Sequence, residues 1–274
     1  MIKLNSLFAG FLLLNVTQDL FIIWMDKLNR KHIRRLGNQV PCQFEGFVDA
    51  VRLARMNAYT LEKSRVALVH ELTSDAALLC MVLSGFLLFL EHLAGQWRMG
   101  DIPAGLFFIM VPGMMLSVMN LPFSYYHTFV IEEKYGFNRS TLKIWLTDLF
   151  KAGLMTLVLF SVLVSLILWF IRVFPGSWWL WGLLVLSLVQ WVLVILYPTV
   201  IAPLFNTFKP IQDQTLAEKI KAMMKQSGFI VKTILQMDAG KRSTHTNAYF
   251  TGLGKTKRIV LFDTLLTSHP HEEI

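Results

Sequence analysis

The last four residues of the chain spell the first half of a zinc-binding motif. His271, Glu272, Glu273 and Ile274 read H-E-x-x, whereas H-E-x-x-H places two histidine ligands and a general base on one helix face around zinc. None of the seven histidines is followed by another histidine four residues later. Because a catalytic zinc ion needs three protein ligands and a water, we predict no complete zinc site in this chain. On this prediction His271 is not a ligand and Glu272 is not a catalytic base.

Polar residues inside apolar stretches are the second group that could carry chemistry. Asn15, Gln18 and Asp19 share one stretch, and Asn120 and Gln190 stand alone in two others. An ionisable group at membrane depth usually faces a bundle interior or a water-filled cavity. Asp19 fits that description, but it also lies near a predicted helix end, from which its carboxylate could reach the lipid headgroups. Both interpretations remain open from the sequence.

The densest polar segment is 120–138, NLPFSYYHTFVIEEKYGFN. Pro122 removes a helical hydrogen bond and frees a backbone carbonyl, and it is followed by Tyr125, Tyr126, His127, Glu132 and Glu133. The histidine, His127, either lines a polar chamber or anchors the helix at the membrane interface.

The elements that must position these groups are membrane helices. Hydrophobic residues make up 54% of the 274 residues and charged residues only 16%, against about a quarter in soluble domains. A spanning helix needs about 20 mostly apolar residues. Residues 1–205 therefore form a predicted transmembrane domain with five spans near 6–25, 75–94, 103–126, 149–171 and 178–202.

Basic residues are distributed unevenly among the connections. From the first connection to the tail, the counts of Lys and Arg are nine, one, three, one and ten. This alternation is what the positive-inside rule expects of five spans. It places the N-terminus outside or in the lumen and the residues after 205 in the cytoplasm, in a bacterial inner membrane or the endoplasmic reticulum. The net charge of +8 serves topology and solvation, with a contribution from attraction to anionic lipids, and nothing indicates nucleic acid binding.

The polar tail, 206–274, has the pattern of a small α+β segment. A helix is predicted over 213–227, with Asp213 as its N-cap and Gly228 at its end. Strands are predicted near 230–238, 245–251 and 257–263, and the last two bracket a glycine-containing turn typical of a β-hairpin. The predicted fold class is thus an α-helical integral membrane protein with about five transmembrane helices and a small cytoplasmic α+β segment. Little apolar surface is left to cover the hairpin, so the segment looks incomplete on its own.

Four stretches of the chain resemble the type I CAAX prenyl proteases, which are membrane-embedded zinc metallopeptidases of the gluzincin kind. The resemblance extends over nearly the whole chain and is most specific in the last of these stretches. They are AYTLEKSR (58–65), IEEKYGFNRST (131–141), LYPTVIAPLFNTFKPI (196–211) and STHTNAYFTGLGKTKRIVLFDTLL (243–266).

The resemblance implies a ring of helices around a water-filled chamber, capped by a zinc-peptidase domain that cleaves prenylated CAAX proteins near their C-terminus. It places the N-A-Y-F strand along the active-site cleft, where an extended substrate can add to a sheet edge. The implied substrate-binding residues are His245, Asn247, Ala248, Tyr249 and Phe250. For Tyr249 and Phe250, packing within the hairpin is the competing interpretation.

The resemblance also implies that the zinc helix opens at E-E-I, so that the zinc ligands and a catalytic C-terminal portion would lie beyond Ile274. The leading hypothesis is therefore the N-terminal part of a zinc metalloendopeptidase, with zinc in the intact enzyme and no hydrolysis by these residues alone. Its partners would be the bilayer and a peptide or prenylated protein substrate. Two alternatives are a non-enzymatic membrane binding module or carrier for a lipidic or prenylated ligand, and a structural chain that pairs with a separate catalytic chain.

Overall fold

The computed structural model describes residues 5–37, 39–40, 42–46, 48–229, 231, 233–252 and 257–274. The chain divides by packing into two compact units, Met1–Tyr135 and Gly136–Ile274. This boundary differs from the change in hydropathy at residue 205, because the last two membrane helices pack with the polar tail in one unit.

The first unit is built of helices. They are α1 (Ser6–Leu36), α2 (Ala50–Leu83), α3 (Phe86–Gln96), α4 (Asp101–Tyr126) and α5 (Glu133–Tyr135), with a short 3-10 helix at Cys42–Phe44. Asn5 and Asp49 cap the starts of α1 and α2 by accepting hydrogen bonds from the amides of Phe8 and Arg52. Such caps satisfy amides that have no partner within the helix.

The stretch 75–94, expected from the sequence as one span, is divided between α2 and α3. Gly85 separates the two helices with φ of 79°, a left-handed conformation that residues with a Cβ adopt only under strain. The membrane-length helix here is α2, which begins at Ala50 and carries both the basic connection and the start of the apolar stretch.

Two long helices contain π-helical turns. His127–Glu132 joins α4 to α5 without a break, and Tyr197–Ile201 joins α7 (Trp178–Leu196) to α8 (Ala202–Phe205). The second turn contains Pro198, whose missing amide donor removes one hydrogen bond of the regular ladder, and the first turn begins five residues after Pro122. The third span, expected from the sequence to end near residue 126, therefore continues as far as Tyr135.

Five helical segments in the described part of the chain are long and apolar enough to span a bilayer. The second unit contributes two of them, α6 (Leu142–Val173) and α7 with its continuation to Phe205. The chain is a multi-pass integral membrane protein, and the predicted fold class is confirmed. The spans are Ser6–Leu36, Ala50–Leu83, Asp101–Tyr135, Leu142–Val173 and Trp178–Phe205.

The tail folds as a four-stranded mixed sheet packed against α9 (Gln214–Gln226). The strands are β1 (Phe208–Pro210), β2 (Thr233–Met237), β3 (Ala248–Thr251) and β4 (Arg258–Phe262), in the order β1-β2-β4-β3. Strand β4 runs parallel to β2 and antiparallel to β3, so β3 and β4 form the predicted hairpin. A short helix, α10 (Asp263–Ser268), follows β4.

The sheet has a core that the sequence pattern did not predict. Leu216 and Ile220 of α9 pack with Ile234 of β2 and Ile259 and Leu261 of β4. The expected shortage of apolar cover for the hairpin was wrong, because α9 and the parallel strand β2 both lie against β4. The opposite face holds a smaller cluster centred on Val260, which is 1% exposed.

Candidate substrate-binding edge and its anchors

Strand β3 is one of the two edge strands of the described sheet, and β1 is the other. The inner side of β3 pairs with β4 in the register Ala248 with Leu261 and Phe250 with Ile259. An edge strand presents unpaired amide and carbonyl groups, and extended peptides bind such edges by adding a strand. The four residues of β3 include three of the five substrate-binding residues predicted from the sequence.

The main-chain groups that face outward can be deduced from the ladder. The amide of Phe262 donates to the carbonyl of Asn247 at 3.0 Å, which makes that opposed pair a hydrogen-bonded one. Because antiparallel pairs alternate, Ala248 and Phe250 occupy non-hydrogen-bonded positions. Their amides and carbonyls therefore point away from β4, toward the position that an added strand would take.

Asn247 already covers one of these outward groups. Its side-chain Oδ1 accepts a hydrogen bond from the amide of Ala248 at 2.8 Å. A substrate that uses this amide must displace the Asn247 side chain. Phe250 is therefore the residue of β3 whose outward amide and carbonyl have no partner among the described residues.

Tyr249 and Phe250 project to opposite faces of the sheet, as neighbours in a strand must. Tyr249 packs with Met237, Val260 and Phe262, which supports the hairpin-packing interpretation for its ring. Burial, with a smaller contribution from Tyr197, raises the pKa of the Tyr249 phenol above its usual value. The Tyr249 hydroxyl is consequently neutral at physiological pH.

Phe250 belongs to a small exposed aromatic group on the α9 side of the sheet. Its ring is 42% exposed and meets the ring of Phe229, 44% exposed, edge to face at a centroid distance of 6.0 Å. The ammonium of Lys257 lies 5.2 Å from the Phe229 centroid and 5.9 Å from the Phe250 centroid. This group presents apolar surface and one positive charge beside the free edge.

His245 lies in the loop that leads into β3. Its exposed ring stacks on Phe137 at a centroid distance of 4.3 Å, and its carbonyl accepts a hydrogen bond from the buried hydroxyl of Thr264 at 2.8 Å. These contacts fix the backbone two residues before Asn247. The predicted group of five thus forms one continuous strip, 245–250, with His245 at its start.

Arg242 anchors the same loop to the membrane helices of its unit. Its guanidinium donates two hydrogen bonds to Asp148 of α6, at 2.6 and 2.9 Å, and one each to Asn206 Oδ1 and the Phe205 carbonyl, at 2.6 and 2.7 Å. Its own carbonyl accepts from the amide of Arg139 at 3.0 Å. A bidentate guanidinium–carboxylate pair is both strong and directional, so Arg242 fixes where the strip begins.

Asp238 closes the other end of this loop. Its carboxylate accepts from the amide of Thr207 at 2.7 Å and from the Lys241 ammonium at 2.8 Å. Burial alone would raise the pKa of the Asp238 carboxyl, but these donors outweigh burial and hold that pKa below its usual range. The resulting stabilisation is present above the unfolded pKa and is lost as the pH falls through the lowered folded pKa.

In the first unit, the polar segment after Pro122 is tied to α2. The hydroxyl of Tyr59 donates to Glu132 at 2.6 Å, and His127 Nε2 lies 3.5 Å from the same carboxylate. Glu62 accepts from the Lys134 ammonium at 2.7 Å and the Tyr135 hydroxyl at 3.0 Å. His127 therefore takes part in an internal polar network, although its side chain remains 38% exposed.

Two further polar residues flagged from the sequence also contact α2. Asn120 Oδ1 lies 2.7 Å from His70 Nε2 and accepts from the Ser74 hydroxyl at 3.3 Å. One carboxylate oxygen of Asp19 is buried, without a hydrogen-bond partner among the described residues, and the carboxyl lies beside Asp75. This placement favours the interior interpretation of Asp19 over an approach to the headgroups.

The residues at the end of the chain do not fit a catalytic zinc ion. His271 lies in a turn after α10, and its Nε2 is 2.9 Å from Asp213, the N-cap of α9. Across the described residues, no three His, Cys, Asp or Glu side chains are grouped closely enough to hold a metal ion.

Several contacts at these sites were not predicted from the sequence. Arg242 and Asp148 are 94 residues apart, and Tyr59 and Glu132 are 73 apart. Side-chain pairing over such separations leaves no local pattern. The available signals were an arginine directly before the S-T-H-T-N-A-Y-F stretch and an isolated aspartate near the start of an apolar helix.

The fold defines a class: a multi-pass helical membrane protein with a small α+β segment whose sheet has a free edge strand. Comparison with known proteins gives the family. Residues 29–207 match the family described as CAAX prenyl protease N-terminal, five membrane helices, and residues 210–274 match peptidase family M48. The chain belongs to the CAAX prenyl protease family within the M48 metallopeptidases, which confirms the resemblance noted from the sequence.

Comparisons with individual proteins agree with this family assignment. The chain is 32% identical over 272 residues to the CAAX prenyl protease 1 homolog of Mus musculus, covering 97% of this chain and 57% of that protein. It is 39% identical over 175 residues to CAAX prenyl protease 1 of Saccharomyces cerevisiae, covering 63% of this chain and 38% of that protein. The crystal structure of S. mikatae Ste24p superposes with a TM-score of 0.84 at 30% identity, covering 93% of this chain and 60% of that one. The chain thus spans somewhat more than half the length of the mouse relative.

Proposed function

We propose that this chain is the substrate-binding part of a membrane zinc metalloendopeptidase that cleaves prenylated CAAX proteins near their C-terminus. Membership of the CAAX prenyl protease family supports a protease over a carrier or a purely structural chain. The observation that carries the proposal is the free edge of β3, because a protease must hold its substrate as an extended strand.

In this proposal the substrate lies antiparallel or parallel to β3 and bonds to its outward groups. The amide and carbonyl of Phe250 supply one donor and one acceptor, and the carbonyl of Ala248 supplies a second acceptor. Asn247 holds the amide of Ala248 until a substrate replaces it. His245 and the Arg242 anchor keep the strip in place while the peptide binds.

Side-chain recognition falls to the two faces of the edge. Phe250 and Phe229 offer apolar surface on the α9 face, and Lys257 adds a positive charge beside them. Such a surface would bind apolar substrate side chains that lie near an acidic group. The C-terminal carboxylate of the substrate would be that acidic group. Tyr249 supports the strand from the opposite face rather than contacting substrate through its ring.

Zinc is part of the proposal only because the chain belongs to a family of metallopeptidases. In an intact enzyme the metal would polarise the scissile carbonyl and activate a water, with a glutamate as general base. Among the described residues no group of His, Cys, Asp or Glu side chains could hold the metal, so no zinc ligand is assigned to them. His271 and Glu272 take no part, since His271 is paired with Asp213 in a turn.

The proposed orientation follows the distribution of basic residues. The N-terminus lies outside or in the lumen, and the sheet with β3 lies in the cytoplasm, where prenylated proteins are found. The eukaryotic sources of the relatives named above favour the endoplasmic reticulum over a bacterial inner membrane.

The proposal is tested by measuring binding and cleavage on the same purified chain. We expect a farnesylated CAAX peptide to bind in detergent or nanodiscs, and to bind more tightly than the same peptide without the farnesyl group. We expect no hydrolysis of the bound peptide, with or without added zinc. Absence of binding would contradict the substrate-binding role, and zinc-dependent hydrolysis would contradict the prediction that these residues hold no catalytic zinc.

A further inference from the structure

One face of α1 carries a stripe of positive charge directly after its apolar part. Lys27, Lys31, Arg34 and Arg35 are all exposed, and they begin two residues after the apolar stretch 6–25. At 100° per residue the four side chains fall within an arc of about 100° around the helix. The stripe extends about 12 Å along the axis. We call these four residues the basic stripe.

Contacts with α2 fix which way the basic stripe faces. The Ser64 hydroxyl donates to Asp26 at 2.5 Å, and the Asn57 side chain donates to the carbonyl of Gly37. Asp26 and Gly37 therefore mark the side of α1 that packs on α2. The centre of the basic stripe lies about 120° around the helix from that side, so the stripe faces away from the contact with α2.

No acidic side chain in the described part of the chain pairs with the four charges of the basic stripe. Arg30, on the side nearer α2, pairs with Asp26. By contrast, no ion pair or hydrogen bond to the side chains of Lys27, Lys31, Arg34 or Arg35 is found among the described residues. Four unpaired cations on one face attract an anionic surface in proportion to their number.

The positive-inside rule alone does not account for this arrangement. That rule depends on how many Lys and Arg residues flank a span, and it is indifferent to the face of the helix on which they lie. The positions 27, 31, 34 and 35 instead repeat at helical spacing over more than two turns. Alignment on one face is what contact with a continuous partner requires.

We propose that the basic stripe binds the headgroups of anionic phospholipids in the leaflet on that side of the membrane. Lysine and arginine side chains can lay their stems back along the helix toward the headgroups. The length of the stripe along α1 is close to the Debye length of about 8–10 Å at physiological salt. Salt therefore screens the attraction of most of these charges to the anionic surface only in part. Clusters of four or more basic residues next to a span are a recognised signature of such binding.

The test compares phosphatidylserine with phosphatidylcholine, using the purified full chain and native mass spectrometry to obtain dissociation constants. The first variant neutralises the stripe with Lys27→Gln, Lys31→Gln, Arg34→Gln and Arg35→Gln. Each charge near an anionic surface contributes about fivefold in affinity. We therefore expect this variant to lose at least about tenfold in affinity for phosphatidylserine and little for phosphatidylcholine.

A second variant keeps every charge and changes only its face. Exchanging Lys31 with His32 and Arg35 with Leu36 spreads the four cations over an arc of about 200° around α1 without altering composition or net charge. All four exchanged positions are exposed, so packing on α2 is preserved. We expect this variant to lose at least about fivefold in affinity for phosphatidylserine.

The charge-matched control removes four exposed lysines elsewhere, by Lys209→Gln, Lys219→Gln, Lys221→Gln and Lys225→Gln. We expect wild-type affinity from it. The proposal is overturned if the neutralised stripe retains wild-type affinity for phosphatidylserine, or if the exchanged variant binds as tightly as the wild type. It is also overturned if the control loses as much as the stripe variant.

Discussion

Replacing Arg242 by alanine is expected to increase hydrogen exchange at the amides of Thr244 and Arg139 by roughly 30- to 150-fold. This corresponds to about 2–3 kcal/mol of lost local stability. The Thr244 amide donates to the Phe137 carbonyl and the Arg139 amide to the Arg242 carbonyl, both at 3.0 Å. These two bonds report directly on whether the loop before β3 remains docked.

The size of this effect follows from the four hydrogen bonds that the guanidinium donates. Arg242 and Asp148 side chains are only 26% and 25% exposed, so truncation leaves a largely desolvated carboxylate without its cation. The expected cost lies between that of an exposed ion pair, about 0–1 kcal/mol, and a fully buried one, about 3–5 kcal/mol.

Two variants act as controls for Arg242→Ala. Lys241→Ala removes the neighbouring cation, whose pair with Asp238 is more exposed, and should change exchange by less than about fivefold. Arg242→Lys keeps the charge but cannot donate a bidentate pair of hydrogen bonds to Asp148. Its hydrogen exchange should therefore lie between that of Arg242→Ala and that of Lys241→Ala. Equal exchange in Arg242→Ala and Lys241→Ala would show that Arg242 is not the anchor of the loop.

Replacing Phe250 by proline is expected to weaken binding of a farnesylated CAAX peptide by at least about thirtyfold. The ladder places the Phe250 amide on the outer side of β3, so proline removes a donor to the substrate and inserts its ring where the added strand would lie. A substrate carbonyl left unsatisfied costs about 1–3 kcal/mol, and the steric conflict adds to this. Fluorescence anisotropy with a labelled peptide measures the change.

The matched control is Phe250→Val, which also removes the aromatic ring but retains the amide and a strong preference for strand. We expect it to weaken binding by less than about fivefold. Because the Phe250 amide does not bond to β4, exchange protection at Tyr249 and Thr251 should survive in both variants. Equal affinities of the proline and valine variants would mean that the substrate does not use the edge.

Much of the fold was predictable from local patterns. The spans follow from runs of apolar residues, the start of α9 from Asp213, and the β3–β4 hairpin from two β-rich runs around a glycine. Strand β1 was not predicted, because it has three residues and includes Pro210, which reads as a loop. Its pairing with β2 depends on residues more than 20 positions away.

The candidate site was predictable only in part. The strip 245–250 was named through resemblance, whereas its position at a sheet edge depends on β2 and β4 pairing in parallel, which no local pattern specifies. Periodicity also could not decide between substrate contact and packing for Tyr249, since both favour an aromatic residue in a strand. The π-helical turn that presents Glu132 to Tyr59 was missed because a proline near the end of an apolar run resembles a helix terminus.

The most direct test of the account is to map where a substrate touches the chain. A farnesylated CAAX peptide with a photoreactive group next to its scissile bond would be irradiated with the purified 274-residue chain, and the adducts located by tandem mass spectrometry. The account predicts adducts on His245, Asn247, Ala248 or Phe250, which unlabelled peptide suppresses. Adducts confined to the membrane helices, with none on residues 245–251, would contradict it.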